Sequence, residues 1–159
     1  MAREFIAIPN QIVLPGASVL FESENFQNGF IFHKDGSGLF RLASPSVMGG
    51  CYKRCCCGMP VADYLVEFHG NVQIPEGGTL DQISLSLVTD GEVDASGVML
   101  TTPTVVEVPE NVGTSIVDSV PWICRCSSVS LRNTGAEPVQ IVNGSIIIDY
   151  SGIRTGGIL

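Results

Sequence analysis

The chain has 159 residues, enough for one domain with a full core and too few to suggest two. Apolar residues make up 45% and charged residues 15%, with 18 glycines and 9 prolines, a mixture that favours short strands and tight turns over helices. A formal net charge of −8, from 8 Lys and Arg against 16 Asp and Glu, excludes the clustered cationic surface that a nucleic-acid binder needs.

The low charged fraction and positive mean hydropathy leave much of the surface neutral or apolar, which predicts burial against other subunits. The opening "MAREFIAIPNQIVLPG" lacks the continuous apolar region of a signal peptide, because Glu4 and then Pro9-Asn10 interrupt it. No run approaches the roughly 20 apolar residues of a membrane-spanning helix. A soluble protein is expected, with neither nucleic acid nor membrane among its partners.

In chain order, residues 1–11 fall outside the strand pattern and are expected to form an arm whose Phe5, Ile6 and Ile8 pack on a neighbour. "QIVLPGASVLFES" supplies one or two strands at the start of a domain over 12–150. "GFIFHK" and "GLFRL" flank Asp35-Gly-Ser-Gly38 as a hairpin. The clearest element is "YLVEFHGNVQI": Tyr64, Val66, Phe68, Gly70, Val72 and Ile74 share one parity, and Glu67, His69, Asn71 and Gln73 the other. The first set is predicted to face the core and the second to face solvent or a partner. Pro75-Glu-Gly-Gly78 ends the strand, "ISLSLV" forms the next, and Asp90-Gly91 tolerates the positive φ of a hairpin tip before "VMLTTP". "TSIVDSV", "SSVSLRN" and "GSIIIDY" follow, with Thr134-Gly-Ala-Glu-Pro138 as the intervening turn. Residues 151–159, "SGIRTGGIL", read as a second tail that keeps Ile158 and Leu159. Eight or nine short strands without a helix period or a repeat predict an all-β, single-domain jelly-roll β-sandwich.

This strand order resembles the trimeric jelly rolls typified by tumour necrosis factor and the complement globular head. It also resembles small virion surface proteins of bacteriophages and prophages of gut Firmicutes. The second likeness covers most of residues 12–150 and lies in the hairpin His33-Lys-Asp-Gly-Ser-Gly-Leu-Phe40, the cysteine-containing loop, and "IPEGGT" followed by "ISLSLVTDGE". The resemblance implies a homotrimer that serves as a capsid decoration protein or head-fibre component. Its partners would be itself and a major capsid protein or other virion component, and it would be assembled in the host cytoplasm. The alternative is a receptor- or glycan-binding trimeric head, of a fibre tip or a spore or cell surface.

The chemical motifs are sparse. There is no phosphate loop, no His-Glu-x-x-His and no Gly-x-Ser-x-Gly elbow, so no catalytic, cofactor-binding or metal-ligating residue is assigned and no enzyme is expected. Ser37 in Gly36-Ser37-Gly38 reads as a hairpin tip rather than a nucleophile, and Asp90-Gly-Glu-Val-Asp94 as a turn rather than a calcium loop. His33 and His69 read as solvent-facing or satisfied by a neighbour, and two histidines are too few for the metal centre of a double-stranded β-helix enzyme. Asn143-Gly-Ser145 matches a glycosylation acceptor but needs a secretory route, and Trp122 lies in an apolar stretch that favours burial.

Four cysteines lie in "CYKRCCCG", Cys51, Cys55, Cys56 and Cys57, and two in "CRC", Cys124 and Cys126. Reduced packing thiols, a disulfide and a metal site all stay open. A bridge between the clusters would close roughly 70 residues and add about 4 kcal/mol by chain entropy, while three consecutive cysteines in an extended segment cannot all face one ion. The reading adopted is a packing loop that stiffens one end of the sandwich.

Overall fold

A computed structural model describes residues 2–22, 26–28, 31–43, 61–121 and 127–154, with the backbone alone at 26–28, 61, 121, 153 and 154. The six cysteines, Trp122, Ile158 and Leu159 lie outside these residues, and with them the expectations placed there.

The described chain forms twelve strands in two antiparallel sheets, more than the eight or nine expected because the front of the chain breaks into short pieces. They are β1 (Ala2–Ala7), β2 (Gln11–Val13), β3 (Phe21–Glu22), β4 (Phe26–Asn28), β5 (Ile31–His33), β6 (Phe40–Leu42), β7 (Val61–Gln73), β8 (Ile83–Thr89), β9 (Glu92–Thr101), β10 (Glu110–Pro121), β11 (Ser127–Asn133) and β12 (Val139–Arg154). The first sheet runs β10-β7-β12-β1-β3, with β2 also on β12, and the second runs β4-β5-β6-β11-β8-β9. Non-consecutive neighbours in both sheets make this a jelly-roll sandwich, as the alternating patterns predict.

Alternation in β7 orders the core: Tyr64, Val66, Phe68, Val72 and Ile74 are buried, His69 is exposed, and Glu67 and Asn71 are partly exposed, as expected. Ile146 and Ile148 on β12 continue this face beside Phe68 and Val66, and Leu85, Leu87, Val129 and Leu131 meet it from the second sheet. Gly70 and Gly144 are register partners, and the Phe68 ring lies over them. A Cβ on Gly70 would stand 2.7 Å from the Asn143 carbonyl oxygen and 2.9 Å from the ring, so only glycine fits there.

The β5–β6 hairpin closes over residues 34–39 as predicted, and β8 turns into β9 through Asp90 and Gly91 at φ 51° and 84°. Positive φ at both central positions is the twist-matched two-residue hairpin that the Asp-Gly pair anticipates. At the opposite end, the buried Asn133 side chain donates to the Val13 and Glu137 carbonyls and accepts from the Gly135 N–H, each at 2.9 Å. That one amide ties together the last residue of β2 and the turn between β11 and β12. One edge strand of each sheet, β9 and β10, lies against the other, with Thr101 Oγ1 donating to Glu110 at 3.1 Å and Gly97 against Ile116.

The terminal assignments need correction. Residues 2–7 are not an arm: β1 lies between β12 and β3, with Phe5 and Ala7 in the core of its own domain. Phe5 and Ala7 alternate with Glu4 and Ile6, so the segment is a one-faced strand, and Pro9-Asn10, with Asn10 at φ 55°, ends it without detaching it. The domain therefore starts near Ala2, not at 12. At the other end β12 continues past 150 to Arg154, through a bulge between Tyr150 and Gly152.

Candidate functional site

The two histidines do not meet. His33 is buried between the sheets and stacks on Phe40, whereas His69 is exposed on the outward face of the first sheet. The expectation that His33 is solvent-facing fails, while its alternative, satisfaction by a neighbour, holds: Nε2 lies 3.1 Å from the Ser37 carbonyl oxygen. Burial, the largest influence, lowers its pKa below the ordinary imidazole value against the opposing pull of that carbonyl and of Asp35. Ser37 donates its hydroxyl to the Lys34 carbonyl at 2.6 Å, which makes it part of the hairpin tip. Asp94 accepts from the Ser96 N–H and hydroxyl at 2.9 and 2.6 Å, a local turn. Among the described residues, no group of three or more His, Cys, Asp or Glu is placed to hold a metal.

The described flanks of the two cysteine segments do converge. Pro121 pairs with Val61, and Ser127 pairs with Leu42, next to Ala43. The described flanks of both segments therefore lie at one end of the sandwich. Just inside it, Tyr64 is the register partner of Asp118 and of Tyr150. Burial, then the charges of Tyr150 and Asp118, push the Tyr64 phenol well above the usual tyrosine range, and burial also raises that of Tyr150.

The surface with the most distinctive chemistry is the outward face of the first sheet. Register partners share a face, so the inward positions of β7 fix the outward ones of its neighbours. Val117 pairs with Leu65, Glu67 pairs with Ile147, and Ile6 pairs with Ser145, one pair further on. Val117, Leu65, Ile147 and Ile6 thus form a diagonal apolar stripe across β10, β7, β12 and β1. Val117 is 64% and Ile6 49% exposed, and Leu65 and Ile147 are half-buried. Below the stripe lies an amide band: Asn71 donates to Asn143 and Gln73 to Gln140, both at 2.9 Å. Glu4, Glu67, Asp63 and Asp149 also lie on this face, Asp63 accepting from Ser119 at 2.6 Å. Asn143, of the acceptor match, belongs to the amide band.

Sequence reading missed the stripe, although a signal existed. Leu65, Val117 and Ile147 are apolar residues out of phase with the core alternation, and such residues mark a face covered by something else.

No family model matches the chain, and no curated protein matches it. Among solved structures the chain is similar to the globular domain of zebrafish complement 1qA protein, at 12% identity and TM-score 0.56, over 96% of this chain and 98% of that one. It is also similar to a family 35 carbohydrate-binding module of Cellvibrio japonicus Abf62, at 14% identity and TM-score 0.38, with both chains covered in full. The first likeness establishes the fold: an all-β jelly roll of the kind found in the complement globular head.

Proposed function

We propose that the protein works by assembly, without substrate turnover, as a homotrimeric surface component of a larger particle. In the reading suggested by its sequence resemblance, that particle is a phage virion and the protein its capsid decoration or head-fibre component. The observation that carries the assembly reading is the diagonal stripe of Val117, Leu65, Ile147 and Ile6. Apolar side chains on the outside of a sheet whose inside is already full gain free energy only by burial against another chain. The adjoining amide and serine positions supply neutral hydrogen-bonding groups of the kind found at interface rims.

Size-exclusion chromatography with light scattering tests this directly. A species at three times the 16.9 kDa of one chain is expected at micromolar concentration. A stable monomer would overturn assembly, and a monomer that captures sugars on a glycan array would put a free binding head in its place. A capsid or portal gene beside the coding sequence would support the virion setting, and its absence from every such neighbourhood would count against it.

A further inference from the structure

The mechanism proposed above makes no use of His33, yet this is the one described histidine inside the sandwich, at 5% exposure. Its ring bridges the two sheets. On one side it is stacked on Phe40 of β6, centroids 4.4 Å apart and planes 17° apart. On the other it meets Phe5 of β1 at 5.2 Å, and Phe5 and Phe21 both pack edge-on to Phe40, at 4.8 and 5.3 Å. We propose that His33 is an acid-sensitive latch: its protonation opens the seam between β1 and the β5–β6 hairpin while the ladder of β10, β7 and β12 stays closed.

A charged imidazole wants water around it, and here phenyl rings cover it. The charged groups near it give limited compensation. Asp35, on the turn that follows β5, is the one that favours the cation. Lys34 on that turn, Arg41 on β6, Arg3 and Glu4 on β1 and Glu22 on β3 are all exposed. The β4 segment paired with β5 is Phe26-Gln-Asn28, which has no titratable group. Attraction of the cation to the ring faces works in the same direction as Asp35, but loss of hydration dominates.

The sign follows. The closed state prefers the neutral ring, and an opened seam lets His33 take up a proton at its ordinary value near 6.5. Below about pH 6.5 the open form therefore gains by up to tenfold per pH unit, the limit for one proton, until the closed form protonates as well. Opening is local because β5 and β6 have three residues each and, among the described residues, β1 meets β3 at Ile6 and Ala7 and β12 over Ala2 to Ile6 on one side, whereas β7 is paired along its length on both sides. The opened seam would expose Phe5, Phe21 and Phe40, an apolar surface that the neutral protein hides.

Amide hydrogen exchange of the full chain, corrected for intrinsic rates, tests the latch between about pH 7 and 4.5, in wild type and His33→Phe. In wild type, protection in β1, β5 and β6 is expected to fall by up to tenfold per pH unit below about 6.5, with Val66 and Phe68 unchanged. In His33→Phe the same amides should show no such fall. An identical fall in both proteins, or loss at Val66 and Phe68 together with β1, would overturn the proposal. Should His33→Phe not fold, the imidazole proton shifts of wild type decide. His33 titrating below the ordinary imidazole value near 6.5, with the β1 amide shifts following it, supports the latch, and His33 titrating at that value refutes it.

Discussion

The Tyr64 hydroxyl donates a hydrogen bond to the backbone carbonyl of Ala43, joining the centre of the first sheet to the residue that follows β6 in the second. The phenol is buried and held protonated far above the usual range, by burial first and by Tyr150 and Asp118 after it. In the unfolded chain the same phenol ionises near pH 10, so above about pH 10 unfolding releases a proton that the folded state retains. Stability is therefore expected to be intact below pH 10 and to decline as pH rises beyond it. Urea unfolding at about pH 8 and pH 10.5 should show this decline in wild type and a shallower one in Tyr64→Phe. At pH 8 the variant should cost about 1–3 kcal/mol for the carbonyl left without its donor.

Adjacent residues on β7 should behave oppositely. Phe68 is fully buried over Gly70 and Gly144, so Phe68→Ala is expected to cost about 3–5 kcal/mol. His69, exposed on the other face, should cost within about 0.5 kcal/mol when changed to Ala. Thermal melts of the two variants check the pair.

Asn133→Ala removes two donated bonds and one accepted bond from a side chain 1% exposed. With the Val13 and Glu137 carbonyls and the Gly135 N–H left to find other partners, a loss of about 2–4 kcal/mol is expected by chemical denaturation. Replacement by Asp, which cannot donate from the amide position, should recover little of it.

Deletion of residues 1–7 is expected to abolish cooperative unfolding, because it strips a central strand and leaves β12 with an open edge beside Phe21 and Phe40. Near-ultraviolet circular dichroism should lose its fine structure. A truncated protein that melts like wild type would restore the detachable arm.

Val117→Asp places a charge on the apolar stripe at a position 64% exposed. Its fold should survive, with stability within about 0.5 kcal/mol, while its mass by light scattering falls to that of one chain. Glu4, Glu67, Asp63 and Asp149 give this face an acidic balance, so salt, which screens repulsion between like faces, should favour wild-type assembly. Sedimentation in about 20 mM and 500 mM NaCl is expected to show a larger trimer fraction at the higher concentration.

Much of this architecture is legible in one dimension. A strand's side chains alternate with period two, so the buried parity of β7, the hairpin at Asp90-Gly91 and the all-β class follow from local pattern alone. Other features depend on which strands become neighbours, and local pattern carries no such information. β1 resembles a loose apolar tail until β12 and β3 flank it, because a six-residue alternation ended by proline has no visible partner in the sequence. His33 alternates like any strand residue, and only the approach of Phe5 from the other sheet turns its position into a buried one. Leu65, Val117 and Ile147 are separate irregularities along the chain. The pairing registers of β10, β7 and β12 set them side by side, and the burial of neighbouring parities leaves them outside as one apolar stripe.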